Sequence, residues 1–266
     1  MRCSLRIPDS TNYQRADWEA GLTAAGYTVC DFQRPEKGDL LVIWNRSHRD
    51  EQAAQAFEAV GGHVLVAENG YLGKWWNDHK WFALSANHHN GAGWIPHLPE
   101  RWDRYAVPFG EWRRTGSEIV ALPQRGIGEV GVAMPRDWKP PVKCRIRPHM
   151  GIKPCVDLAE DLQNARAVVT WGSGAAIKCL LWGIPVFYEF PQWIGRLAAT
   201  HTSIADYDHP WHPDRLPVFQ KVLSGMWTDS EIRSGQPFEE FKRARFGDQP
   251  VERVKRVLGN TWPSAW

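Results

Sequence analysis

The chain has 266 residues, enough for one large or two small domains, and its 43% apolar and 23% charged composition excludes wholesale disorder. A net charge of +2 argues against a general nucleic-acid coat and leaves room only for a local basic patch. The start moves from Met1-Arg-Cys into polar Pro8-Asp-Ser-Thr without an apolar core, so no signal peptide is expected. The longest apolar stretch, 179–188, contains Gly and Pro and is too short to span a bilayer, so no membrane insertion is expected. Five cysteines without a CxxC pair fit reduced thiols and a cytoplasmic setting.

In chain order, 2–7 reads as a strand, 12–25 as a helix stopped by Gly26, and 27–32 as a second strand. Asp39-Leu-Leu-Val-Ile-Trp44 is a continuous apolar run, the mark of a strand covered on both faces. A helix over 50–60, stopped by Gly61-Gly62, precedes another such strand at 63–67. Segment 95–115, rich in Pro, Trp and Arg, reads as the crossing between domains. A second alternation follows: strands 118–122 and 142–147, helix 155–165, strand 167–170, helix 173–182 and strand 185–188. Helices then close the chain at 216–223, 229–234, 238–245 and 251–258. The expected fold is α/β, with two Rossmann-like domains facing a cleft: 1–105 for an acceptor, 106–245 for a donor, and a helical tail at 246–266.

Ligands of such sheets gather at strand carboxyl ends, where helix N-termini offer N–H groups to anions. Four strand ends carry fitting residues. The turn after 118–122 brings Arg125, Gly126 and Gly128, able to approach and neutralise a phosphate. The strand 142–147 places Arg145 and Arg147 on one face, with His149 just beyond its end, a set suited to a diphosphate. Gly172, Ser173 and Gly174 open a helix that continues through Lys178, and Ser173 is also a natural N-cap. Strand 63–67 ends in Glu68-Asn69-Gly-Tyr71, where Glu68 is a candidate general base. Asn69, Tyr71, Asn87, His88 and Asn90, with Arg46, are the candidate contacts for a hydroxyl-rich acceptor. His88-His89 lacks a third metal ligand, and Asp206-Tyr-Asp-His209-Pro-Trp-His212 lacks a recognised ligand spacing and reads as a loop. No metal site is therefore expected. Sixteen tryptophans are more than the interior readily hides; they are candidate stacking platforms, although such rings more often pack in cores.

Taken in order, Glu68-Asn-Gly-Tyr71, Asn87 to Gly91, Arg145-Ile-Arg-Pro-His149, Ala167-Val-Val-Thr-Trp-Gly-Ser173 and Gly183-Ile-Pro-Val-Phe187 resemble capsule-polysaccharide-type glycosyltransferases over roughly residues 38 to 190. The resemblance implies a GT-B-like fold and a nucleotide-sugar donor, UDP- or CMP-linked, held by the second half without an obligatory metal or other cofactor. By position, Arg147, His149 and Ser173 would meet donor phosphate or ribose, and Glu68 would face the acceptor. The family's acidic residue early in the helix after the Ser turn is missing; that stretch reads Ala175-Ala-Ile-Lys178.

The tail from Trp227 and the compact size are similar to bacteriophage members of that type. In that setting the acceptor is either a saccharide or a hydroxymethylated base in double-stranded DNA. Arg101-Trp-Asp-Arg-Tyr105, Trp112-Arg-Arg114 and Phe241-Lys-Arg-Ala-Arg-Phe246 interleave cations with aromatics as nucleic-acid surfaces do. Two alternatives stay open: a sugar-nucleotide epimerase-like enzyme, and a non-catalytic binding protein on a degenerate scaffold of the same type.

Overall fold

The computed structural model describes residues 1–31 and 34–244. The first sheet is laid down by β1 (Arg2–Arg6), α1 (Arg15–Ala24), β2 (Thr28–Val29), β3 (Leu40–Trp44), α2 (His48–Ala59) and β4 (His63–Asn69). These four strands are parallel, in spatial order β4-β3-β1-β2. Then comes a hairpin of β5 (Trp75–Trp76) and β6 (His79–Ala86), turned by Asn77 and Asp78 at φ 48° and 62°, the left-handed pair that a two-residue hairpin loop requires. β6 pairs antiparallel with β4, so this sheet is mixed where the alternation had suggested a parallel one.

Helix α3 (Glu100–Tyr105) leads into the second sheet, built from β7 (Glu118–Ala121), β8 (Arg145–Ile146), α4 (Leu158–Asp161), β9 (Ala165–Thr170), α5 (Gly174–Leu181), β10 (Val186–Tyr188) and β11 (Thr200–His201). All five strands are parallel, in order β11-β10-β9-β7-β8. The expected strand at 142–147 shrinks to two residues, bounded by Pro140-Pro141 before it and Pro148 after it, which take donors out of any ladder. The expected helix at 155–165 is reduced to the single turn α4, capped by Asp157.

After α6 (Leu216–Ser224) the chain returns to the first sheet. β12 (Met226–Thr228) adds antiparallel to β6, and α7 (Asp229–Ser234) and α8 (Gln236–Arg243) pack toward α1. The sequence had assigned 226–245 to the second half. The expected helix at 251–258, the tail 246–266, and Phe32, Arg245 and Phe246 lie outside the described residues.

Strand alternation explains the layers. Leu40 and Val42 of β3 enter a core with Trp18 and Phe238, while Leu41 and Ile43 enter another with Ala54 and Phe57 of α2. The largest core spans both sheets: Tyr71, Leu72 and Trp81 pack in one cluster with Val168, Ile177 and Phe219. The two halves therefore meet along a packed seam. Most described tryptophans are buried or half-buried in these cores, and Trp75 and Trp211 are the exposed ones. Among the described residues no helix is long and apolar enough to cross a membrane.

Candidate functional site

The seam gathers many of the residues singled out by sequence, and loop 87–91 is its centre. Asn87, Asn90 and Gly91 all have left-handed backbones, at φ 64°, 60° and 64°. This tight path turns three successive amides onto carboxylates. The His89 N–H points at Glu129, 3.3 and 3.4 Å from its two oxygens. The Asn90 and Gly91 N–H groups point at Glu68, the latter 3.3 Å from Oε1. A side chain at position 91 would press on Ile194 and Tyr71, so only glycine fits.

Glu68, next to last in β4, turns its side chain inward, whereas Asn69, the last residue, is exposed on the other face. Burial raises the Glu68 pKa above the usual carboxylate range, against the opposing pull of His89 and the two loop amides. His89 Nδ1 stands 3.6 Å from Glu68 Oε2 and is itself buried without a hydrogen-bond partner. Tyr71, also buried, has its phenol pushed well above its ordinary pKa by burial and by Glu68.

The second half meets this loop at two points. Glu129, on the turn after β7, holds His88 Nδ1 at 2.9 Å, and Gly128, in a left-handed conformation at φ 129°, lets that turn close on the His89 ring. At the start of α5, the Gly172 carbonyl accepts from Asn90 Nδ2 at 2.8 Å. Ser173 caps α5 through Ala175 N, and its own amide donates to Thr170 Oγ1, so the turn is internally braced. Gly174 lies beside the Tyr71 carbonyl. Lys178, on the same helix, reaches over Gly73 and has no hydrogen bond or ion pair among the described residues.

A second group lies at the carboxyl end of β8. His149 Nδ1 accepts from Gly151 N at 2.9 Å, which fixes the proton of a neutral ring on Nε2. Burial, Arg125 and Arg147 all lower the His149 pKa, which favours the neutral ring. Arg125 is exposed and without an ion pair among the described residues, packed beside Gly151, with Gly126 in a left-handed turn next to the Met134 carbonyl.

Three expectations are corrected. Arg147 is not free for a donor phosphate: its Nε lies 2.8 Å from Asp161 and its Nη2 donates to the Val156 carbonyl. Arg46 is not an acceptor contact either. Only 4% exposed, it is forked between Glu51 and Glu58 and donates to the Asn87 carbonyl at 2.6 Å, thereby bracing loop 87–91 from behind. Within the cation–aromatic stretches, three of the cations expected on a nucleic-acid surface are engaged by the fold. Arg101 is buried against Glu231, Arg113 donates to the carbonyls of Leu162, Gln163 and Ala165, and Lys242 donates to that of Ala25.

Sequence reasoning missed Glu129 and gave His89 no role beyond a weak metal ligand. A carboxylate directly after the Gly-rich turn was the available signal. Among the described residues no group of three or more His, Cys, Asp or Glu is arranged to hold a metal ion, and Asp206 and His209 form a local exposed turn.

The fold and seam define a two-sheet α/β protein with a carboxylate–histidine pair set against a helix N-terminus. No family model and no curated protein matches the chain. Among solved structures, Thermosulfurimonas dismutans KpsC, beta Kdo 2,7 transferase, is similar at 13% identity and a TM-score of 0.46, over 91% of this chain and 99% of that one.

Proposed function

We propose that the protein transfers a glycosyl group from a nucleotide-linked sugar to an acceptor hydroxyl, with Glu68 as the base. The observation that carries this reading is the join at Asn90-Gly91. One residue ties to the Gly172 carbonyl at the start of α5 and the next to the Glu68 carboxylate, so base and anion-binding turn share a few ångströms of backbone. The His89 Nδ1, 3.6 Å from Glu68 and without a hydrogen-bond partner of its own, sets an imidazole beside the proposed base.

In the proposed reaction the hydroxyl loses its proton to Glu68 and its oxygen bonds the anomeric carbon, while the bond from that carbon to the donor phosphate breaks. Burial raises the Glu68 pKa, which makes the carboxylate a stronger base. In this reading the leaving phosphate is met by the ammonium of Lys178, the guanidinium of Arg125 and the Nε2–H of His149, groups suited to developing negative charge. A saccharide is the favoured acceptor, because Arg101 and Arg113, two of the cations that had suggested DNA, are engaged within the fold.

The test is a thermal-shift screen against nucleoside mono- and diphosphates and their sugars, followed by transfer assays on a saccharide panel with E68Q as control. A shift with one nucleotide class, and transfer abolished in E68Q with that shift intact, supports the reading. Donor turnover without acceptor, giving an isomerised sugar, refutes it in favour of an epimerase; binding without any turnover favours a binding protein.

A further inference from the structure

We infer that Glu129 is a positioning residue for the Glu68–His89 pair, placed by the second half of the chain to hold in register a base that the first half supplies; this rests on the reading of Glu68 as the base. Glu129 is 8% exposed, and it touches neither Glu68 nor the His89 ring by hydrogen bond. Its two oxygens instead take the His88 ring at 2.9 Å and the His89 amide at 3.3 and 3.4 Å. Holding both the side chain of one residue and the backbone of the next leaves the loop little freedom to rotate about residue 89. Asn90 and Gly91 then follow in the left-handed conformations that deliver their amides to Glu68.

The consequence is a division of labour between neighbouring histidines. His88 anchors the loop to Glu129 across the seam, and His89, on the next residue, presents its unpartnered Nδ1 to Glu68. Without Glu129 the loop keeps its brace from Arg46 to the Asn87 carbonyl and its tie from Asn90 to Gly172, but the residues between lose the contact that sets the His89 ring. Gly128 makes this arrangement possible, because a side chain there would stand 3.2 Å from His89 Cδ2. The groups facing Glu68 are thus His89, Tyr71 and, farther off, the Glu129 charge, which opposes its ionisation.

The experiment compares the unaltered chain with E129Q, E129D and E68Q, using histidine ring NMR, calorimetry with the nucleotide found by screening, and pH–rate profiles. In the unaltered background E68Q moves the His89 ring signals; in the E129Q background the same change moves them much less. E129Q lowers kcat about tenfold or more, since small displacements of a reacting group are costly, while donor KM and nucleotide affinity stay within about twofold. The acid limb of kcat/KM moves to lower pH, because a charge opposing Glu68 ionisation has gone, and E129D recovers part of the lost rate. An equal response of His89 to E68Q in both backgrounds overturns the inference. So does a fall in kcat matched by an equal fall in nucleotide affinity with the acid limb unmoved, the mark of a merely structural residue. Should no glycosyl transfer be found, the proposed function fails, and the NMR comparison still decides whether Glu129 sets the Glu68–His89 contact.

Discussion

Removing Arg101 tests whether the chain's return to the first sheet is held by one buried ion pair. Arg101 and Glu231 are 5% and 6% exposed and meet through two parallel contacts of 2.9 Å. Arg101 also donates to the carbonyls of Leu223 and Met226 and lies 4.0 Å over the Trp227 ring, while Glu231 closes a capping box with Thr228 at the start of α7. R101A strands a buried carboxylate and strips two carbonyls, and breaking a buried pair in this way costs about 3–5 kcal/mol. R101K keeps the charge but loses the fork, and should fall between R101A and the unaltered chain. Urea unfolding gives each ΔG, and a double-mutant cycle with E231Q isolates the pair at about 2–3 kcal/mol of coupling. A loss below about 1 kcal/mol in R101A, or additivity within about 0.5 kcal/mol in the cycle, would refute the reasoning. A loss of nucleic-acid affinity in R101K at unchanged stability would restore the surface role that the buried geometry denies.

Folded Glu68 binds its proton more tightly than the unfolded chain does, so its ionisation opposes folding. That penalty is absent below the ordinary glutamate pKa of about 4.3 and complete above the raised folded value, so E68Q should gain stability relative to the unaltered chain as pH rises from about 4 to 8. A pH-independent difference in urea midpoint would count against a buried, ionising Glu68. Glu231 has the opposite sign: its depressed pKa gives stability above about 4.3 that is lost as pH falls through the folded value, and E231Q should flatten the acid limb of the stability curve. Gly21→Ala would put a methyl 1.8 Å from the Ile232 carbonyl and should cost several kcal/mol, whereas Gly38→Ala meets nothing within 4 Å and should cost only about 1–2 kcal/mol of left-handed strain. Comparable thermal midpoints for the two would refute the packing of α1 on α7. K178A and R125A, which remove cations without ion pairs among the described residues, should weaken nucleotide binding about tenfold each at nearly unchanged stability; unchanged calorimetric affinity in both would move the donor elsewhere.

The elements legible in the sequence are those whose signal is local. β3, β4 and β9 are continuous apolar runs because each is covered on both faces, and α5, α6 and α7 carry their periodicity and caps within a few residues. The elements that escaped depend on partners far along the chain. β6 has no alternation, being buried on both faces, and its antiparallel sense is fixed by pairing with β4 and with β12, about 140 residues away. The aromatic and basic stretch around α3 looks like a surface until Glu231, 130 residues on, supplies the carboxylate that draws Arg101 inside.

The same limit applies to the candidate site, where sequence identified residue types but not their partners. Asn87, His88 and Asn90 were read as acceptor contacts because they are polar and clustered at a strand end. The fold instead assigns Arg46 to the Asn87 carbonyl, Glu129 to the His88 ring and the Gly172 carbonyl to the Asn90 amide. A polar group so engaged has little left to offer a ligand, since displacing its partner would leave a buried atom unsatisfied. Among the described residues, the groups left uncommitted include the His89 Nδ1, the His149 Nε2, the Lys178 ammonium and the Arg125 guanidinium. Recognition of substrate must fall mainly on groups of this kind. They divide between the halves, an imidazole beside the Glu68 carboxylate on the first and, with the His149 ring, two cations on the second, Lys178 in the last turn of α5 and Arg125 beside Gly151.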